Sequence, residues 1–126
     1  MVQVETSQLT AESAKWRETL RHQREALTAD KLQLQENAAG NLSRDQLQEV
    51  EQLHNQLHIQ LINIHDLKHA IKLHERTIAQ ELAARNGEVR RETMAEHEEL
   101  QAQYTRLENT LQQLRTRFDA FLRLNQ

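Results

Sequence analysis

The chain has 126 residues, no cysteine, no proline and only 3% aromatic residues, which excludes a disulfide framework, a thiolate nucleophile and a cysteine-based zinc site and leaves few bulky fillers for a compact single-chain globule. Lys and Arg number 16 against 19 Asp and Glu, a formal charge of -3 with both signs interspersed, so nucleic acid is not an expected partner. The N-terminal Met1-Val2-Gln3-Val4-Glu5 lacks the basic and apolar regions of a secretory signal, and no run nears the roughly 18 apolar residues of a membrane span; a cytoplasmic, cytoskeleton-associated protein without membrane insertion is the default expectation.

Residues 1–8 read as a flexible start. A first helix is expected over 9–39, with Trp16, Leu20, Leu27 and Leu34 at heptad spacing. Its alternate core positions fall on Gln23, Asp30 and Asn37, so this seam is narrow and needs a better apolar surface to lean on. Trp16 at that spacing reads as core. Gly40 has the place of a left-handed C′ residue. Ser43 with Gln46 makes a capping box, and Leu42 with Leu47 has the spacing of a hydrophobic staple, so a turn is expected over 40–43.

A long second helix is expected over 44–99. Leu47, Val50, Leu57, Leu61, Ile64, Ile71, Ile78, Leu82 and Val89 hold one seam, with His54, Lys68 and Glu75 as polar interruptions. Leu53 and Leu67 widen it. Ile59, Ile62 and Leu73 reach further round the helix than a two-stranded contact requires, so this helix is expected to pack on the first helix and on a partner chain. At Asn86-Gly87 the pattern predicts a helix that continues, because the nearby cap candidate, Thr93 with Glu96, arises readily in a glutamate-rich helix. The eleven-residue step from Val89 to Leu100 then reads as a stutter. Residues 100–126 form the cleanest seam: Leu100, Tyr104, Leu107, Leu111, Leu114, Phe118 and Phe121 alternate steps of four and three.

The chemistry-bearing residues are few. His54, His58, His65 and His69 form two i, i+4 pairs on one strip of the helix, a pattern that a transition metal or a pH response would need. A polar strip beside an apolar seam is also the ordinary edge of a solvated bundle, so no metal and no cofactor is expected. Glu88, Glu92, Glu96, Glu98 and Glu99 around Arg90 and Arg91 read as a solvated face. No catalytic apparatus or small-molecule substrate is expected.

The chain therefore reads as all-α: an elongated helical hairpin that continues into a C-terminal coiled coil and self-associates. The expected function is non-enzymatic oligomerisation or protein binding, as a scaffold or tether cut from a larger protein, with a homodimer first and other helical proteins next. Leu57, Leu61, Ile64, Ile71, Ile78, Leu82, Leu100, Tyr104, Leu107, Leu111, Leu114, Phe118 and Phe121 are the expected interface. Two alternatives stand beside it. Trp16 in the first segment, with Leu73-His74-Glu75 and Glu81-Leu82-Ala83-Ala84 in the second, faintly resembles a spectrin repeat, although the third segment has no Trp where that family usually carries one; the resemblance implies a monomeric three-helix spacer. The histidine strip suggests a metal- or pH-responsive switch.

Overall fold

Three helices make the fold: α1 (Thr6–Ala38), α2 (Arg44–Ala84) and α3 (Arg91–Leu124). The structure is a computed structural model and describes residues 6–124. Arg17 pairs with Glu75 and Arg117 with Glu49, while Asp30 pairs with Arg115. Those partners run in opposite order for α2 and in the same order for α1 and α3, so the chain goes up, down and up. The 41 residues of α2 span about 60 Å at 1.5 Å per residue. The N-terminal residues 6–8, expected to be flexible, already belong to α1; the rest of that stretch lies outside the described residues.

Burial follows a three-and-four alternation. On α2 it takes Val50, Leu53, Leu57, Gln60, Ile64, Leu67, Ile71, His74 and Ile78. On α3 it takes Thr93, His97, Leu100, Leu111, Leu114, Phe118 and Phe121, with Tyr104 and Leu107 half-buried between them. Leu20, Leu27 and Leu34 of α1 are fully covered. Each such Leu or Ile contributes at most about 1.5–3 kcal/mol. One large apolar cluster runs from Trp16 to Phe121, and a small one joins Leu9, Ile78 and Val89. Leu42 packs on the large cluster's edge.

The first turn forms where expected. The Gln46 N–H donates to Ser43 Oγ at 3.2 Å, and the Ser43 N–H donates to Gln46 Oε1 at 2.7 Å, which completes the capping box. Leu47, the far side of the expected staple, stays 44% exposed. Gly40 does not take the left-handed backbone expected of it: among the described residues positive φ occurs at Asn86 and Gly87. Tightened bonds from the Ala39 and Gly40 N–H groups to Glu36 and Asn37 carbonyls end α1 instead.

At the second turn the expectation of a continuous helix is corrected. Asn86 (φ 54) and Gly87 (φ 84) are both left-handed, a conformation these two residue types tolerate best. The Gly87 N–H reaches back to the Leu82 carbonyl at 3.0 Å, the long bond of a Schellman ending with Asn86 at C′. The restart is capped from α2. Glu81 accepts from the Arg90 N–H at 2.7 Å and from the Thr93 hydroxyl at 2.6 Å. The eleven-residue step is therefore a turn, not a stutter, and 100–124 fold back onto the chain as part of α3.

Candidate functional site

Between the two apolar clusters lies a buried polar layer to which all three helices contribute. His74 is fully buried and His97 3% exposed, each because it occupies a place in its helix's buried row. The imidazoles approach at 2.9 Å, His74 Nε2 to His97 Nδ1. The outer nitrogens meet carboxylates: His74 Nδ1 lies 2.7 Å from Glu96 Oε1, and His97 Nε2 lies 2.9 Å from Glu12 Oε1. The four side chains thus form one chain, Glu96, His74, His97, Glu12, threading α3, α2, α3 and α1. Trp16 covers it, its ring centroid 4.7 Å from that of His97, and Tyr104 stacks on the far face of Trp16 at 5.9 Å. Buried Ser13 returns its hydroxyl to the Leu9 carbonyl, and buried Thr93 serves Glu81.

Further along, the seam between α1 and α3 is polar where the sequence left Gln23 and Asp30 in core places. Burial pushes the Asp30 carboxyl upward from its ordinary value; the Arg115 guanidinium opposes this and Asp119 adds to it. Its Oδ2 makes no well-formed hydrogen bond but sits 3.3 Å from Arg115 Nε as an ion pair. Burial likewise raises Glu108, against a hydrogen bond from Gln23, and raises the Tyr104 phenol, against one from Thr19. For Glu81 burial acts upward, but the Arg90 N–H, the Thr93 hydroxyl and the charges of Arg90 and Arg85 outweigh it, so its carboxyl lies below the ordinary glutamate value.

The residues singled out from sequence fall elsewhere. His58, His65 and His69 are exposed on the outer side of α2, and half-buried His54 touches Gln35 at 3.5 Å. No group of three or more potential ligands that could hold a metal occurs among the described residues. Of the expected interface, Leu57, Ile64, Ile71, Ile78, Leu100, Leu111, Leu114, Phe118 and Phe121 are buried by the chain's own helices, and Leu61, Tyr104, Leu107 and Leu82 pack on those same clusters. The third helix covers the side of α2 on which a partner was expected. Ile59 (45% exposed), Ile62 (49%) and Leu73 (48%) stay outside on the face of α2 that points away from the bundle, and Leu32 of α1, Leu47 at the start of α2 and Leu124 at the end of α3 are exposed as well. His58, His65 and His69 lie on the adjoining strip of the helix, and the row from Ile59 to Leu73 spans about 21 Å. No described helix is long and apolar enough to cross a membrane.

Neither a protein-family model, nor a curated protein, nor a solved structure matches the chain.

Proposed function

We propose that the chain is a non-catalytic association module: a three-helix spacer that presents the outward face of α2 to a second copy of itself. The observation that carries this reading is the row Ile59, Ile62 and Leu73, whose side chains stay about half exposed although each could have been polar without loss to the core. A helix laid along this row from a second copy would bury it and convert two three-helix units into a larger bundle. The neighbouring positions Asp66, Lys72 and Arg76 carry both signs, which suits pairing of like faces in antiparallel order.

The test is mass in solution. Sedimentation equilibrium at tens of micromolar is expected to give two chains, and the double variant Ile62→Glu with Leu73→Glu to give one chain of undiminished helicity. A single-chain mass for the unaltered protein, with a melt independent of concentration, overturns self-association. That result favours the second reading, a monomeric spacer, which is supported by the burial of the long apolar rows inside one chain. Binding of another helical protein to the same face, lost in the double variant, would keep the module and change its partner. As a scaffold or tether of either kind it needs no cofactor, and a cytoplasmic or cytoskeletal setting fits that work.

A further inference from the structure

The layer of Glu96, His74, His97 and Glu12 carries a condition on its own protons. Three hydrogen bonds join the four side chains, and each contains one hydrogen. An ionised carboxylate only accepts. Glu96 therefore requires a hydrogen on His74 Nδ1, and Glu12 requires one on His97 Nε2. The contact of 2.9 Å between His74 Nε2 and His97 Nδ1 needs a third, because two bare lone pairs repel there and two N–H groups clash. Two neutral imidazoles bring two hydrogens and two imidazolium ions bring four. Only a pair that shares a single positive charge brings three.

The surroundings suit that charge. The Trp16 ring lies 4.7 Å from His97, within the distance at which an aromatic face attracts a cation. The carboxylates at both ends keep contact with water, the Glu12 side chain being 34% and that of Glu96 53% exposed, which lowers the cost of enclosing the charges. Other charged groups nearby already have partners or face solvent. From α2, Glu75 is paired with Arg17, Glu81 is held by Arg90 and Thr93 and Arg76 is exposed. From α3, Glu92, Glu98 and Glu99 are exposed, and from α1 so is Lys15. The Tyr104 phenol lies beyond Trp16.

We propose that these four residues form a three-proton latch that ties α1, α2 and α3 most firmly near the ordinary titration range of histidine and less firmly on either side. The direction follows from proton linkage. In the unfolded chain two ordinary histidines carry four ring protons well below about pH 6.5 and two well above it. The folded latch holds three. On the acid side the unfolded chain binds more protons, so stability rises with pH; on the alkaline side it binds fewer, so stability falls with pH. The contribution peaks where the unfolded histidines are half-protonated, and the folding equilibrium constant changes by up to tenfold per pH unit on each flank. The latch uses neither the outward face of α2 nor the strip of His58, His65 and His69, so it stands or falls apart from self-association.

Glutamine at one end removes the condition. In Glu12→Gln the amide donates to His97 Nε2, His97 Nδ1 donates to His74 Nε2, and His74 Nδ1 donates to Glu96, so two neutral imidazoles complete the chain. Glu96→Gln does the same from the other end with every bond reversed. Urea denaturation from pH 5 to 8 is therefore expected to show a stability contribution that peaks near pH 6.5 in the unaltered protein, but one that rises to about pH 6.5 and then levels in Glu12→Gln, whose folded pair holds two ring protons. The variant should gain on the unaltered protein by about tenfold in the folding constant per pH unit across the whole range. Parallel profiles for both proteins overturn the proposal. Should Glu12→Gln fold poorly, Glu96→Gln gives the same comparison. Nitrogen-15 spectra of the unaltered protein decide without any substitution: three N–H groups on the His74 and His97 rings at pH 6.5 are expected, and two or four overturn the latch.

Discussion

The layer around Leu57 and the layer around His74 occupy equivalent places in the same buried row of α2, yet they hold the bundle by different physics. Leu57 is fully buried within the large apolar cluster, and its contribution grows with the area removed from water whatever its neighbours' orientation. His74 is equally buried but makes one directional bond to each of two named partners. Such a layer adds little net stability when complete and costs much when half complete. The comparison teaches that the apolar layers supply most of the cohesion, while the polar layer sets which residues of three helices must stand opposite one another.

The largest effect should come from the apolar side. Leu57→Ala is expected to destabilise by about 2–5 kcal/mol in chemical denaturation, since it removes both burial and packing. On the polar side His97→Leu should cost about 1–3 kcal/mol, because His74 Nε2 loses its partner while staying buried. The double variant His74→Leu with His97→Leu should cost less than the sum of its two singles, a departure from additivity of about 0.5–3 kcal/mol. Additive losses would show that the two histidines do not act as a pair.

The two turns extend the same contrast with smaller effects. Glu81→Ala removes a cap supplied across the turn and should destabilise by about 1–2 kcal/mol at neutral pH. Its carboxyl is held below the ordinary glutamate value, so that stabilisation is fully present above about pH 4.3 and is lost as pH falls through the lower, folded value. The difference between Glu81→Ala and the unaltered chain should therefore shrink in acid, and thermal melts at neutral and acid pH check it. Ser43→Ala removes a cap local to its own helix and should cost about 1 kcal/mol. The smallest effect is a gain. A Cβ added at Gly40 meets only the Asn37 carbonyl oxygen, at 3.6 Å, and φ there is not positive, so Gly40→Ala should stabilise by about 0.4–1 kcal/mol through the unfolded chain. A loss there would show that Gly40 needs the left-handed backbone after all.

Much of the fold was legible in the residues. The Ser43 to Gln46 box is a local device, complete within four residues, and it forms as read. The seam from Leu100 to Phe121 alternates without error because every member is apolar. The His74 and His97 layer left a fainter signal. Extending the three-and-four alternation through 64, 67, 71, 74 and 78 on α2, and back from 100 through 97 and 93 on α3, reaches both histidines. Reading Glu75 as the interrupted core position hid the first, and reading 89–100 as a stutter hid the second. The four patterned histidines drew attention because of their spacing, yet three are exposed and the fourth is half-buried.

Sequence alone determined the helical class, the first turn and most apolar members of the buried rows, since propensity, capping and periodicity act over a few residues and need no distant partner. Tertiary structure decided the second turn, because the group that caps α3 is the carboxylate of Glu81 on the preceding helix. That turn folds α3 back, and it is this return that places His97 2.9 Å from His74 and closes the chain to Glu12, 85 residues away from His97. No local rule reports such a meeting. Hydrogen bonds are directional and short, so whether four polar side chains cancel or complete one another depends on positions that only the packed bundle defines.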